Sequence, residues 1–277
     1  MKPSAPTCTA DDLAQEPRAT RIDAFDSGVG GLSVLRQIHR RLPAVSIRYI
    51  GDVAHAPYGE RSPGAVLARA ERIVGHLVEQ GAGLVVVACN TATVLAIETL
   101  RARWPATVFV GVEPGVKPGV AASRTRRIAV MATRATVRSA RFRRLVELHA
   151  TGVHVHVQAC PGLVDVIETG VQDGPALLAV LAPYCDAIRD AKVDTVVLAC
   201  THYAFVGEAI RRLLGPGITL IDTASAVADR VVGQWPGLIQ RGSPLLRVQS
   251  TGASTALGAM LRQCPGFEAV EIERLAL

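Results

Sequence analysis

Two cysteines in matching surroundings are the residues of this sequence best suited to acid–base or nucleophilic chemistry. Cys89 ends the apolar run Leu84–Ala88 and is followed by Asn90, Thr91, Ala92 and Thr93. Cys200 ends the run Thr195–Ala199 and is followed by Thr201, His202 and Tyr203. Each run reads as a short strand buried on both faces, and the residues after each cysteine begin a helix. Each sulfur is thus expected at the carboxyl edge of a sheet, where open α/β sheets bind ligands. The free N–H groups and dipole of the helix start favour an anion there, so the expectation is a lowered thiol pKa and a usable thiolate. One such cysteine is most often a small buried hydrophobe; two in matching turns point to chemistry.

A carboxylate stands in a comparable place. The short strand Ile22–Phe25 ends at Asp26, followed by Ser27-Gly28-Val29-Gly30-Gly31. The glycines suit a tight turn with positive φ and a close backbone approach to a ligand. The spacing is neither a dinucleotide fingerprint nor a phosphate-binding loop. Asp26 at that strand end could hold or deprotonate a neighbouring group.

The elements that must position these groups alternate strand and helix. A strand over Ser46–Ile50 leads through Gly51-Asp52 into a loop in which Pro57 and Gly59 fix the backbone around Tyr58. Ser62 and Pro63 read as N-cap and first residue of a helix running to a stop at Gly81. The Cys89 strand and its helix follow, then a strand over Val108–Val112. A second half begins near Pro114, with a strand over Ile128–Met131 and a helix over Val137–His149. Between them Thr133 and Thr136 can either donate to a carboxylate or simply cap the helix. A strand at Val153–Gln158, helices at Leu163–Glu168 and Ala176–Arg189, and the Cys200 strand complete the alternation. After Ile218–Ile221 the chain is expected to return to the first half, with a helix at Ala224–Gly233 and a last strand around Leu246–Gln249. The fold class is α/β with mostly parallel sheets. Residues 21–113 and 223–277 form the first domain, 114–222 the second, and Met1–Thr20 a disordered tail.

Bulk properties narrow the classes. The 277 residues are 49% hydrophobic, which excludes a disordered chain and allows a sizeable core. The six cysteines (8, 89, 160, 185, 200 and 264) form no CxxC pair and read as free thiols from a reducing compartment. No signal peptide or membrane-length apolar run is seen, so the expected location is cytoplasmic. Net charge is +6, and eight arginines lie between Arg124 and Arg144 with no acid from there to Glu147. With only 4% aromatics and no nucleic-acid motif, that cluster reads as a solvated face and not a nucleic-acid footprint. A zinc site at Cys200 and His202 lacks evident third and fourth ligands.

Seven stretches in order resemble the glutamate racemases of the aspartate/glutamate racemase superfamily. They are FDSGVGGLSVL (Phe25–Leu35), GDxAxxPYGxxS (Gly51–Ser62), ACNTAT (Ala88–Thr93), GVEP (Gly111–Pro114), ATxxTxxS (Ala132–Ser139), LVxxIExG (Leu163–Gly170) and CTHY (Cys200–Tyr203). The resemblance implies two similar three-layer α/β domains with the site in the cleft between them, and a cofactor-independent racemase producing D-glutamate for peptidoglycan. It implies Cys89 and Cys200 as the two catalytic acid/bases, Asp26 assisting Cys89, and His202 with Glu168 behind it assisting Cys200. Substrate contacts would come from Asp26, Ser27, Tyr58, Gly59, Asn90, Thr91, Thr133, Thr136, Thr201 and His202. Val53, His55, Ala199 and Ala204 depart from the family pattern without removing a catalytic group. No cofactor and no metal are expected. None of the motifs holds a lysine for a pyridoxal Schiff base, and the chain has only Lys2, Lys117 and Lys192. Expected partners are glutamate and a second copy of the chain, with no membrane and no nucleic acid. The alternatives are an aspartate racemase and a non-catalytic binding or regulatory protein on the same fold.

Overall fold

The computed structural model describes residues 21–235 and 244–277. The tail expected over Met1–Thr20, with Cys8, lies outside the described residues.

The first half opens with β1 (Arg21–Asp26), α1 (Leu32–Arg41), β2 (Ser46–Gly51), α2 (Pro63–Glu79), β3 (Leu84–Val87), α3 (Asn90–Arg103) and β4 (Val108–Gly111). The second contains α4 (Val116–Ala122), β5 (Arg127–Ala132), α5 (Arg134–Arg138), α6 (Ala140–His149), β6 (His154–Ala159), α7 (Leu163–Glu168), α8 (Pro175–Asp190), β7 (Thr195–Leu198), α9 (Gly207–Leu214) and β8 (Thr219–Asp222). The chain closes with α10 (Ala224–Gln234), β9 (Leu246–Ser250), α11 (Thr255–Leu261) and β10 (Ile272–Arg274). Six strands form one sheet in the order β10-β9-β2-β1-β3-β4, and four form another in the order β6-β5-β7-β8. Every pairing in both sheets is parallel.

Parallel strands need helical crossovers, and these cover the sheet faces. The strands that carry the cysteines are accordingly buried throughout: β3 is LVVV and β7 is TVVL. After β8 the chain contributes α10, which packs against α1, and β9, which pairs with β2. One apolar cluster runs from Ile22, Leu35 and Tyr49 to Met131, Leu163 and Leu198, so residues of both halves share a continuous core.

The structure corrects the reading of residues 134–149, where a single helix from Val137 was expected. Ser139 interrupts it: its backbone is extended and its Oγ accepts from the N–H of Phe142 at 3.1 Å. Thr133 caps the short α5 in the same way, accepting from Thr136 N at 3.2 Å. A cap inside an otherwise helical pattern splits the segment in two. Helices α4 and α11 and strand β10 had no counterpart in the sequence reading. No helix of the described residues is long and apolar enough to cross a membrane.

Candidate active site

Both cysteines stand at the carboxyl ends of central strands, Cys89 after β3 and Cys200 after β7, and each is 5% exposed. They line one narrow cleft with Ser27, Tyr58, Gly59, Asn90, Thr91, Thr133, Thr201 and His202. Pro57 and Val164 also line it. The sequence reading had not selected these two, because neither carries a reactive group. Asp26, Glu168 and Thr136 stand behind the lining.

Cys89 caps α3, its Sγ accepting from Ala92 N at 3.4 Å, and it lies 3.9 Å from Ser27 Oγ. The expected helix contact is therefore present, yet the thiol pKa moves the opposite way. Burial raises it well above the usual range and the neighbouring Asp26 carboxylate raises it further, outweighing the N–H of Ala92. Cys89 is held as a thiol, which corrects the expectation of a depressed pKa.

Asp26 is fully buried. Its Oδ2 accepts from Gly28 N at 3.2 Å and Gly31 N at 2.9 Å, while Oδ1 has no partner. Burial raises its pKa, which His202 only partly offsets. A carboxylate with a free oxygen and a raised pKa beside a thiol can exchange a proton with it.

On the other side, Cys200 Sγ lies 3.8 Å from Nδ1 of His202, and Nε2 of that ring lies 2.5 Å from Glu168 Oε1. Burial lowers the His202 pKa, but the bonds to Cys200 and Glu168 outweigh it and hold the ring protonated. The same Glu168 oxygen accepts from Val29 N at 2.9 Å, so the turn after β1 meets the His202–Glu168 pair from the opposite half. Cys200 is followed by a 3₁₀ segment, Thr201–Val206, and α9 begins only at Gly207.

Close approach, not positive φ, explains the glycines. Gly28, Gly30 and Gly31 are absent from the positive-φ positions, which corrects that part of the sequence reading. A Cβ on Gly28 would lie 1.9 Å from Glu168 Oε1, and one on Gly30 would lie 2.3 Å from His202 Nδ1. Because Glu168 is held by both Val29 and His202, it cannot yield cheaply. Gly28→Ala is expected to displace it and lower kcat by about 100-fold or more, a loss within the reach of a disturbed acid–base pair. Steady-state kinetics on a variant with native circular dichroism checks this.

Of the two uses considered for these threonines, capping is the one seen, at Thr133. Thr133 caps α5 and also reaches across the cleft, its Oγ1 2.9 Å from Thr91 Oγ1 and 3.1 Å from Thr136 Oγ1. Asn90 Nδ2 donates to Val112 O at 3.2 Å, leaving its buried Oδ1 without a partner. Among the described residues no group of three or more His, Cys, Asp or Glu could hold a metal ion. A wider groove between α3, α4, α6 and α10 contains no cysteine.

Much of the arginine cluster is engaged within the fold. Arg126 and Arg127 donate to the carbonyls of Gly152 and Ala191, Arg134 pairs with Glu60, and Arg141 with Glu98 and Glu113. Binding to duplex DNA is therefore expected to be weak and lost by physiological salt, as for scattered phosphate contacts. Submicromolar binding in that salt, measured by fluorescence anisotropy, would contradict it.

The family model for Asp/Glu/Hydantoin racemase matches residues 29–231. The chain is 48% identical over 210 residues to the glutamate racemase of Pseudomonas aeruginosa (strain UCBPP-PA14), covering 76% of this chain and 79% of that protein. It is 41% identical over 251 residues to the glutamate racemase of Ectopseudomonas mendocina, covering 90% and 95%. The crystal structure of a glutamate racemase isoform from Bacillus anthracis superposes with a TM-score of 0.83 at 28% identity, covering 94% of this chain and 98% of that one.

Proposed function

The chain belongs to the Asp/Glu/Hydantoin racemase family, and from that premise we propose that it interconverts L- and D-glutamate by a two-thiol mechanism without a cofactor. The observation that carries this reading is the pair of cysteines on one narrow cleft, each backed by its own proton-exchanging group. Inverting an α-carbon requires a base on one face and an acid on the other. One sulfur, as thiolate, takes the α-proton, and the electron pair left on carbon delocalises into the substrate carboxylate. The other, as thiol, delivers a proton to the opposite face. N–H groups at the start of α3 and hydroxyls such as Thr91 are suited to the charge that develops on the carboxylate oxygens.

The resting charges favour one assignment. Cys89, held as a thiol, is ready as the acid. When it must act as the base, its proton passes to the unpartnered Oδ1 of Asp26. Cys200 exchanges its proton with Nδ1 of His202, whose protonated form Glu168 stabilises.

Glutamate is the proposed substrate because the named relatives are glutamate racemases. The product would supply peptidoglycan synthesis in the cytoplasm. Aspartate is shorter by one methylene, worth only about 1–3 kcal/mol in an apolar pocket. A distal carboxylate that misses fixed hydroxyl donors loses charged hydrogen bonds as well. Strong preference for glutamate is expected, and comparable kcat/KM for the two amino acids would refute it. The proposal as a whole is tested by incubating the purified protein with L-glutamate and following circular dichroism. The signal should decay to zero as the racemate forms; a constant signal would contradict the reading.

A further inference from the structure

We propose that Asp52 is a positioning residue for the reaction, acting through the hydroxyl of Tyr58 to set the cleft wall beside Cys89. It follows directly on β2, and its N–H donates to the backbone carbonyl of Asp26 at 2.9 Å, next to the site's own carboxylate. Its side chain is fully buried. Oδ2 accepts from Tyr58 Oη at 2.6 Å and from Arg69 Nε at 3.0 Å. Oδ1 accepts from Arg69 Nη2 at 2.8 Å and Thr251 Oγ1 at 2.8 Å, with His55 Nδ1 at 3.0 Å. One carboxylate thus gathers α2, the residue after β9, and the loop between β2 and α2.

Such a site is costly to bury unless every lone pair is used, and here the surrounding donors do use them. Burial acts to raise the Asp52 pKa, but the bonds from Arg69, Tyr58 and Thr251 outweigh it and keep the group ionised. Burial and the Asp52 charge keep the Tyr58 phenol protonated, so it remains the donor.

What this arrangement fixes faces the substrate. Tyr58 is 1% exposed, lines the cleft with Cys89 and Thr91, and belongs to the same apolar cluster as Cys89. The next residue, Gly59, lies so close to the opposite half that a Cβ there would be 2.8 Å from Thr133 Cβ. A shift of the 58–60 turn therefore changes both the wall at Cys89 and the meeting of the two halves at Thr133. Tyr58 spends its hydroxyl on Asp52, so its contribution to the cleft is the placement of its ring and backbone. His55, where this chain departs from the family pattern, is one of the residues around the carboxylate.

This inference rests on glutamate racemisation as proposed above, and the test separates the two. The wild-type protein is first assayed with L-glutamate; no turnover would overturn the proposed function itself. With wild type active, kcat/KM and thermal midpoints are measured for Asp52→Asn, Tyr58→Phe, the double variant and Thr251→Val. Each of the first two is expected to lower kcat/KM by about 10- to 100-fold, the worth of a buried hydrogen bond to a charge. The double variant should fall no more than about twofold below the worse single one, because both changes break the same contact. Thr251→Val, which removes a different bond to Asp52, should stay within about threefold of wild type. Should Asp52→Asn fail to fold, Asp52→Glu, which keeps the charge but moves the carboxylate from its place opposite the Tyr58 hydroxyl, takes its place in the cycle. Multiplying losses in the double variant, or native kcat/KM in Tyr58→Phe, would overturn the role and leave Asp52 a structural residue only.

Discussion

Cys89→Ala and Cys200→Ala are each expected to abolish racemisation in both directions. Enantiomers have equal free energy in water, so kcat/KM must be the same from L- and from D-glutamate for any variant. In the proposed mechanism each thiol serves as base in one direction and as acid in the other, and loss of either removes one of the two required proton transfers. Nothing else in the cleft lining stands in for them. Ser27, Thr91 and Thr201 are hydroxyls, too weakly acidic to replace a thiol, and His202 lies on the Cys200 side only. Both substitutions remove a small buried side chain, so about 1–2 kcal/mol of stability is the most they should cost. A loss of activity can then be separated from a loss of fold by comparing thermal midpoints. Stereospecific removal of the α-proton could survive in a single-cysteine variant as slow exchange without inversion. Inversion itself should not.

The second large effect is expected from the groups behind the sulfurs. Asp26→Asn and His202→Asn should each lower kcat by about 10²–10⁴-fold, the usual contribution of a positioned acid or base. Their consequences differ because the groups differ. Asp26 is a carboxylate with one free buried oxygen and a raised pKa, whereas His202 is a protonated imidazole tied to Glu168. With kcat/KM bound to be equal in the two directions, the difference can appear only in kcat and KM taken separately. Opposite asymmetries in kcat are expected for the two variants. Forward and reverse kinetics measured on the same preparations check this, and an asymmetry of the same sense in both would contradict the assignment of Asp26 to Cys89 and His202 to Cys200.

The strands that end at the two cysteines were legible because burial on both faces leaves an unbroken apolar run, as in Leu84–Val87 and Thr195–Leu198. The break between α5 and α6 was not, because Ser139 looks like any polar residue in a helical pattern until its oxygen is seen on Phe142 N. Strand β10 is three residues long and only partly buried, so it leaves no periodic signal. Within the site, residue types and motif order pointed to most of the residues that line the cleft, Pro57 and Val164 excepted. Two features depended on tertiary packing that no local pattern encodes. One is the direction of the Cys89 shift, set by burial in the closed cleft and by Asp26. The other is the use of Gly28 and Gly30, whose missing side chains admit Glu168 and His202 from the other half. Asp52 sits inside a recognised motif, yet only the structure brings it to Tyr58, Arg69 and Thr251.

The central claim, that two different sulfurs serve the two faces of one α-carbon, is tested most directly by the isotope content of the first turnovers in D₂O. Wild-type protein is incubated with unlabelled L-glutamate, stopped after a small fraction has reacted, and the enantiomers are separated and analysed by mass spectrometry. The account predicts that the D-glutamate formed carries deuterium at the α-carbon, delivered by a thiol already exchanged with solvent, while the recovered L-glutamate retains its proton. The same holds with the enantiomers exchanged when unlabelled D-glutamate is the starting material. Product that keeps the original proton, or starting enantiomer that takes up deuterium as fast as product forms, would mean that a single group works both faces and would contradict the account.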